Sequence, residues 1–244
     1  MLKVQICLDN LEKKTYFSSE LTFKINLALH TYYIPIFVKQ PKHIVIAGNI
    51  GAGKTTLSNL LSNQFNWEAN YESTDDNPYL EDFYNDMGRW SFNLQVYFLN
   101  SRYNQVLRIK EGDKTVVQDR SIYEDAYIFA PNLHHMGLMS ARDFQNFFDL
   151  FQLMNSQVPA PDLMIYLRAT MPTLVKHIQK RGRSYETSMS LNYLQLLNDR
   201  YEEWISGYDA GNLLIINSDE LDFVNKEEDW NFIVDQVSKK LNLG

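Results

Sequence analysis

Residues 48–55 are Gly48-Asn49-Ile50-Gly51-Ala52-Gly53-Lys54-Thr55, and this stretch decides the fold of the chain. It follows the apolar segment 43–47 and precedes leucines at helical spacing, so the sequence predicts a strand, a glycine-rich turn and a helix. Such glycines let backbone N–H groups turn inward around a polyphosphate at the helix N-terminus. We expect Lys54 to reach the β- and γ-phosphates and the Thr55 hydroxyl to ligate Mg²⁺. The stretch, called the phosphate loop below, therefore predicts a nucleoside triphosphate site.

The composition is that of a globular protein with no sign of a nucleic-acid or membrane partner. Of the 244 residues, 45% are hydrophobic and 22% are charged, and the formal net charge is −7. A negative balance argues against nucleic-acid binding. No run of 18 or more apolar residues is present, and the single cysteine, Cys7, excludes an intramolecular disulfide. We therefore expect a cytoplasmic protein.

Two regions differ in their hydrophobic pattern. Residues 1–41 show no clear period and are predicted to be an N-terminal extension of unknown role, whereas 42–244 are predicted to form one domain that contains the phosphate loop. In 42–244, apolar runs alternate with helical patterns, which predicts an α/β fold with a parallel five-stranded sheet flanked by helices. The long helices are expected at 88–110, 190–206 and 227–241. The predicted strands are 43–47, 67–71, 114–118, 162–167 and 212–217.

Charged residues follow two of the predicted strands. Glu72 comes after strand 67–71, and Asp119-Arg120 comes after strand 114–118. Ligands gather at the carboxyl ends of strands in an open parallel sheet. There Glu72 could accept the proton of an attacking hydroxyl, Asp119 could hold Mg²⁺ and Arg120 could contact phosphate. The alternatives are a surface acid for Glu72 and a surface ion pair for Asp119 and Arg120.

Two further polar groups admit two interpretations each. Arg181 and Arg183 flank a glycine after a helix, which suits a lid that closes over a triphosphate but also a solvated basic turn. Gln95 and Arg102 share one face of helix 88–110, and Asp125 begins the next helical pattern. These three could read the edge of a base, although spacing alone favours a solvent-exposed face.

Taken together, these motifs resemble the deoxynucleoside kinase family over about residues 42–243. The resemblance implies a P-loop kinase fold with a lid, ATP and Mg²⁺ as cofactors, a deoxynucleoside substrate and a homodimer. The motifs that carry it are Gly48-Asn49-Ile50-x-Ala52-Gly53-Lys54-Thr55, Arg89-Trp90-Ser91-Phe92 with Gln95 and Arg102, Asp119-Arg120-Ser121-Ile122-Tyr123-x-Asp125-x-Tyr127-Ile128-Phe129, and Arg181-Gly182-Arg183 with Glu186.

The resemblance also implies roles for individual residues. Glu72 is the expected general base for the 5′-hydroxyl, with Arg120 and Lys54 as its catalytic partners, and Thr55 with Asp119 is the expected metal site. The donor nucleotide is assigned to Gly48, Asn49, Ile50, Gly51, Ala52, Gly53, Lys54, Thr55, Thr56, Arg181, Arg183, Asp222 and Phe223. The deoxynucleoside is assigned to Glu72, Tyr84, Gln95, Arg102, Asp119, Arg120, Asp125, Phe129 and Glu186; Phe129 stacks on the base, and Tyr84 and Glu186 hold the 3′-hydroxyl.

The chain departs from the family pattern at three places. Asp119 stands where a glutamate is frequent, Glu72 is followed by Ser73 rather than proline, and His177 replaces an arginine of some relatives. Arg102 with Asp125 suits a base that carries an amine, so we expect purine deoxynucleosides, deoxyadenosine first. A thymidylate-type monophosphate kinase is the alternative, and a regulatory P-loop nucleotide switch is a more remote one.

Overall fold

The computed structural model describes residues 42–71, 77–183 and 189–243. Within them, five parallel strands form one sheet in the order β2-β3-β1-β4-β5. This confirms the predicted fold class, and each strand lies within two residues of its expected position. The strands are β1 His43–Gly48, β2 Glu68–Asn70, β3 Val116–Asp119, β4 Leu163–Arg168 and β5 Leu213–Asn217.

Helices connect the strands and cover both faces of the sheet. The three long helices predicted from apolar spacing are confirmed to within one residue at each end as α3, α8 and α9. A π-helical segment, Asp125–Phe129, joins α4 to α5. The helices are α1 Lys54–Phe65, α2 Leu80–Asn85, α3 Met87–Glu111, α4 Ile122–Glu124, α5 Ala130–His135, α6 Ala141–Asn155, α7 Met171–Arg181, α8 Leu191–Ser206 and α9 Glu227–Leu241.

The central strand β1 divides its side chains between two hydrophobic cores. Ile44 and Ile46 pack with residues of α1 and α9, whereas Val45 and Ala47 pack with residues of α3, α6 and α8. All four are fully buried. Because successive side chains of a strand point to opposite faces, a strand covered on both sides must be apolar at every position. This is why 43–47 is a continuous apolar run.

The strand order places the carboxyl end of β1 next to that of β3. The connection that leaves β1 leads to β2, beyond β3, whereas the connection that leaves β3 crosses to β4 on the other side of β1. Such a reversal point opens a crevice at the carboxyl ends of the strands. The phosphate loop begins at the end of β1 in this crevice, and Arg120 follows the end of β3 there.

Among the described helices, none combines the length and the apolar character that a membrane crossing requires.

Candidate active site

The phosphate loop needs glycine at Gly51 and Gly53 for two different reasons. Gly53 caps α1 with a φ of 100°, in the left-handed region that side chains with a Cβ rarely adopt. Gly51 has a φ of 86°, and a Cβ there would lie 2.7 Å from the Leu174 carbonyl oxygen. The loop backbone is therefore in direct contact with the backbone of α7. His177 completes this contact, because its Nδ1 lies 2.8 Å from the Gly51 carbonyl oxygen and must be the donor.

Asn49 organises the loop from within. Its carbonyl oxygen accepts from Lys54 Nζ at 3.0 Å and from the Ala52 backbone N–H at 3.1 Å. Its side-chain amide donates to the Leu194 carbonyl oxygen at 3.1 Å and to Asn198 Oδ1 at 3.2 Å, both on α8. The Asn49 side chain thus ties the loop to α8, and its carbonyl holds Lys54.

Thr55 and Asp119 meet at the first turn of α1. The Thr55 hydroxyl donates to Asp119 Oδ2 at 2.5 Å. Asp119 Oδ1 is buried and has no hydrogen-bond partner among the described residues. The described residues contain no group of three or more His, Cys, Asp or Glu side chains that could hold a metal. Because Mg²⁺ prefers oxygen ligands and is usually held by one or two carboxylates with waters and phosphates, this pair fits the predicted site.

Arg120 adopts a strained backbone conformation directly after β3. Its φ of 71° is unusual for a residue other than glycine, and its N–H bonds the Ile46 carbonyl oxygen at 3.0 Å. The guanidinium lies 4.8 Å from the centre of the Phe129 ring. Arg120 is 4% and Asp119 3% exposed, so the surface ion-pair alternative is wrong for these residues. Strained residues of this kind concentrate at functional sites.

Residues predicted to bind the donor nucleotide and residues predicted to bind the deoxynucleoside line one cavity of about 240 Å³. It lies at the carboxyl ends of the strands, beside the phosphate loop and the inner face of α3. Arg181 at the end of α7 and Arg183 beyond it both reach this cavity, which places them at the site predicted for a lid. The predicted residues that line it are Ile50, Lys54, Thr55, Tyr84, Gln95, Arg102, Asp119, Arg120, Asp125, Phe129, Arg181 and Arg183.

Arg102 and Asp125 form a buried ion pair at the inner end of the cavity. Arg102 Nη1 hydrogen-bonds Asp125 Oδ1, and the two side chains are 4% and 1% exposed. The Arg102 guanidinium also lies 4.7 Å from the centre of the Phe98 ring. Gln95 Oε1 is buried nearby without a hydrogen-bond partner among the described residues. The solvent-exposed face favoured by spacing alone is therefore wrong, because the segments after β3 cover this face of α3.

Outside the phosphate loop, three of the described residues that were predicted for the donor do not line the cavity, namely Thr56, Asp222 and Phe223. Glu72 and Glu186 lie outside the described residues. Thr56 is exposed on α1. The carboxylate of Asp222 accepts from Asn225, which lowers the pKa of Asp222. Phe223 is buried, 3.6 Å from where a Cβ on Gly53 would lie. The roles assigned to these residues stay predictions.

Sequence reasoning missed the contribution of α8 to the site. Tyr201 hydrogen-bonds Arg120 across 81 residues of sequence, and Tyr193 lines the cavity. Glu124 has the spacing of a capping box with Ser121, and both reciprocal bonds of the box are present. That motif was the one signal that Glu124 faces back toward Arg120.

Comparisons with known proteins identify the family. The family model described as deoxynucleoside kinase matches residues 44–242. The chain belongs to the deoxynucleoside kinase family. It is therefore a phosphotransferase, with the P-loop fold that its five-stranded sheet shows.

Individual relatives match this chain over most of their own length. A deoxyadenosine/deoxycytidine kinase of Bacillus subtilis is 39% identical over 201 residues, which cover 82% of this chain and 93% of that protein. A deoxyadenosine kinase of Lactobacillus acidophilus is 38% identical over 207 residues, 81% of this chain and 95% of that protein. The solved structure of deoxyadenosine kinase from M. mycoides with bound dATP matches with a TM-score of 0.71 and 27% identity, over 80% of this chain and 98% of that one.

Proposed function

We propose that this kinase transfers the γ-phosphate of ATP to the 5′-hydroxyl of a purine deoxynucleoside, with deoxyadenosine preferred, in nucleotide salvage. The observation that carries the proposal is a single cavity lined both by Lys54 and Thr55 of the phosphate loop and by the buried pair Arg102 and Asp125. Relatives named as deoxyadenosine kinases support the choice of nucleoside.

The acceptor end of the cavity suits a base with an exocyclic amine. Asp125 and the buried Gln95 Oε1 are acceptors, and Arg102 is a donor. Adenine supplies an amine for an acceptor and ring nitrogens for a donor, whereas thymine has no amine. A site with buried polar groups discriminates strongly, because a mismatched base leaves those groups unpaired. Phe129 would stack on the base, and Tyr84 and Glu186 would bind the 3′-hydroxyl.

The donor end supplies positive charge for the transfer. Glu72 would accept the proton of the 5′-hydroxyl as its oxygen attacks the γ-phosphorus. Lys54, Arg120, Arg181 and Arg183 would stabilise the negative charge that spreads over the phosphoryl oxygens. Thr55 and Asp119 would hold Mg²⁺, which neutralises phosphate charge when bound.

The decisive experiment is a phosphorylation assay with ATP, the four deoxynucleosides and their monophosphates. We expect the highest kcat/KM with deoxyadenosine and no turnover of monophosphates. Faster turnover of a monophosphate would contradict the proposal and favour a thymidylate-type kinase. Replacement of Glu72 by Gln should lower kcat about 100-fold and leave nucleoside affinity unchanged. Asp82→Asn, which neutralises an exposed carboxylate of the acidic stretch 72–82, is the matched control.

Three broader expectations belong to the same proposal. Residues 1–41 would be dispensable, so that a chain of 42–244 would retain the activity; loss of turnover on truncation would contradict this. By analogy with the family the kinase would be a homodimer, which light scattering after size exclusion tests directly. We place it in the cytoplasm, where deoxynucleosides and ATP meet, and fractionation of cells is the test.

A further inference from the structure

Glu124 makes more contacts than its capping box requires. Its Oε2 accepts from the Ser121 backbone N–H at 2.8 Å and from the Ser121 hydroxyl at 3.4 Å, and the first of these bonds closes the box. Its Oε1 accepts from the Tyr201 hydroxyl at 2.7 Å, from Arg120 Nη1 at 3.3 Å and from the Gly48 N–H at 3.4 Å. One fully buried carboxylate thus joins the end of β1, the turn after β3 and helix α8.

Tyr201 supplies the second support for Arg120. Its hydroxyl donates to Glu124 Oε1 and accepts from Arg120 Nη1 at 2.8 Å, so its donor and one acceptor site are both used. The residue is fully buried, and burial raises the pKa of Tyr201 well above its ordinary value. The hydroxyl therefore stays protonated at neutral pH and can donate to Glu124. A buried hydroxyl is unfavourable unless it is hydrogen-bonded. Here the two hydrogen bonds of the Tyr201 hydroxyl are made with the two members of the Arg120–Glu124 ion pair.

Three acceptors share the two N–H groups of Arg120 Nη1 and restrain the orientation of the guanidinium. They are Tyr201 Oη, Glu124 Oε1 and the Gly48 carbonyl oxygen, the last at 3.4 Å. Because Gly48 is the first residue of the phosphate loop, this arrangement ties the orientation of Arg120 to the start of that loop. Charge stabilisation in phosphoryl transfer depends on such preorganisation, since a cation that must reorient during the reaction contributes less.

We infer that Glu124 and Tyr201 are positioning residues that hold Arg120 against the transferring phosphate and couple it to the phosphate loop. This inference rests on the proposed role of Arg120 in the function above. Neither residue is assigned a contact with substrate. Their effect passes through Arg120.

The test compares two buried tyrosines that differ in what their hydroxyls contact. Tyr201→Phe removes the support of Arg120, whereas Tyr166→Phe removes a hydroxyl that donates to Glu202 Oε1 at 3.0 Å. The two rings stack with centroids 5.8 Å apart, so both variants change the same part of the core. We expect Tyr201→Phe to lower kcat about 10-fold with unchanged KM for ATP and nucleoside. Tyr166→Phe should retain kcat within about 2-fold. Equal losses in the two variants would overturn the inference.

A double variant separates positioning from a general structural role. If Tyr201 acts through Arg120, Tyr201→Phe should cause no further loss of kcat in an Arg120→Ala background, because coupled residues are not additive. A further 10-fold loss in that background would refute the inference. Glu124→Gln provides a second arm, since it keeps an oxygen acceptor but removes the charge, and it should likewise lose its effect when Arg120 is absent. All rates are measured with the acceptor that the unmodified kinase phosphorylates fastest, so a wrong nucleoside assignment would leave this comparison intact.

Discussion

The two ends of the cavity are built by different means. The end proposed for the donor contains the phosphate loop, eight consecutive residues with three glycines at positive φ. The acceptor end is made of side chains from α3 and the π-helical segment, joined by an ion pair between residues 23 apart in sequence. The shape of the donor end therefore depends on residues adjacent in sequence, whereas the shape of the acceptor end depends on how segments distant in sequence pack together.

Because of this difference, we expect substitutions at the acceptor end to change both activity and stability, and loss of a charge at the donor end to change mainly activity. The charged groups of Arg102 and Asp125 are both buried. Loss of one partner therefore leaves an uncompensated buried charge. At the donor end, the Lys54 ammonium donates to the Asn49 carbonyl oxygen, a neutral group of the same loop. We expect the loss of one charge at the acceptor end to lower stability strongly, and the loss of the Lys54 charge at the donor end to lower activity more than stability.

The largest effect is expected for Asp125→Ala. The unpaired Arg102 should lower the free energy of unfolding by about 3–5 kcal/mol, measured by urea denaturation. The double variant Arg102→Met with Asp125→Ala should recover most of this loss, because no charge is then left buried, and should shift preference from purines toward thymidine. Asp113→Ala, at an exposed aspartate between α3 and β3, is the control. Equal destabilisation in the single and double variants would show that the ion pair is not the cause.

Lys54→Ala should affect rate more than stability. Loss of its charge from the phosphate loop should lower kcat/KM about 100- to 1000-fold for every nucleoside alike. The free energy of unfolding should fall by less than in Asp125→Ala, measured by urea denaturation. Lys176→Ala, an exposed lysine of α7, should have neither effect. A change in nucleoside preference in the Lys54 variant would contradict the proposal that the acceptor end alone sets this preference.

Gly51→Ala tests the contact between the phosphate loop and α7. The new Cβ would meet the Leu174 carbonyl oxygen at 2.7 Å, so the loop must move away from the helix. We expect a loss of about 1–3 kcal/mol in stability and weaker ATP binding, measured by calorimetry. Gly137→Ala is the matched control, since its φ is 71° but nothing lies within 4 Å of the added atom. Equal losses of stability in the two variants would assign the loss in Gly51→Ala to backbone strain rather than to the clash.

The smallest effect is expected for His177→Ala. It removes one hydrogen bond to the Gly51 carbonyl oxygen, worth about 0.5–1.5 kcal/mol, so the KM for ATP should rise about 2- to 10-fold. Nucleoside preference should be unchanged. His177→Asn offers another donor and should restore part of the affinity, while His135→Ala on the surface should do nothing. No change in KM would mean that α7 holds the loop through Leu174 and Ile178 alone.

The strands and long helices were predictable because their signals are local. A strand covered on both faces must be apolar throughout, and a helix that packs on a core repeats its apolar residues every three to four positions. The spacing Ser121-x-x-Glu124 is likewise typical of a helix start, and both reciprocal capping bonds are present. These features depend on neighbours within a few residues, so one sequence is enough to identify them.

The environment of the polar site residues was not predictable from spacing. Gln95 and Arg102 occupy a face of α3 that looks solvent-exposed until the segments after β3 cover it. Their assignment to the acceptor came from the family resemblance, and burial is what the structure added. Tyr201 had no sequence signal, because an aromatic residue at a core position of α8 looks the same whether or not its hydroxyl supports an arginine.

The amino-acid sequence by itself determined the phosphate loop, the α/β architecture and the resemblance to a kinase family, because each depends on local backbone and hydrophobic patterns. Only the tertiary structure decided that Arg102 and Asp125 are a buried ion pair and that Glu124 and Tyr201 converge on Arg120. Those contacts join residues up to 81 positions apart, and packing alone determines which charges lose their water and need partners.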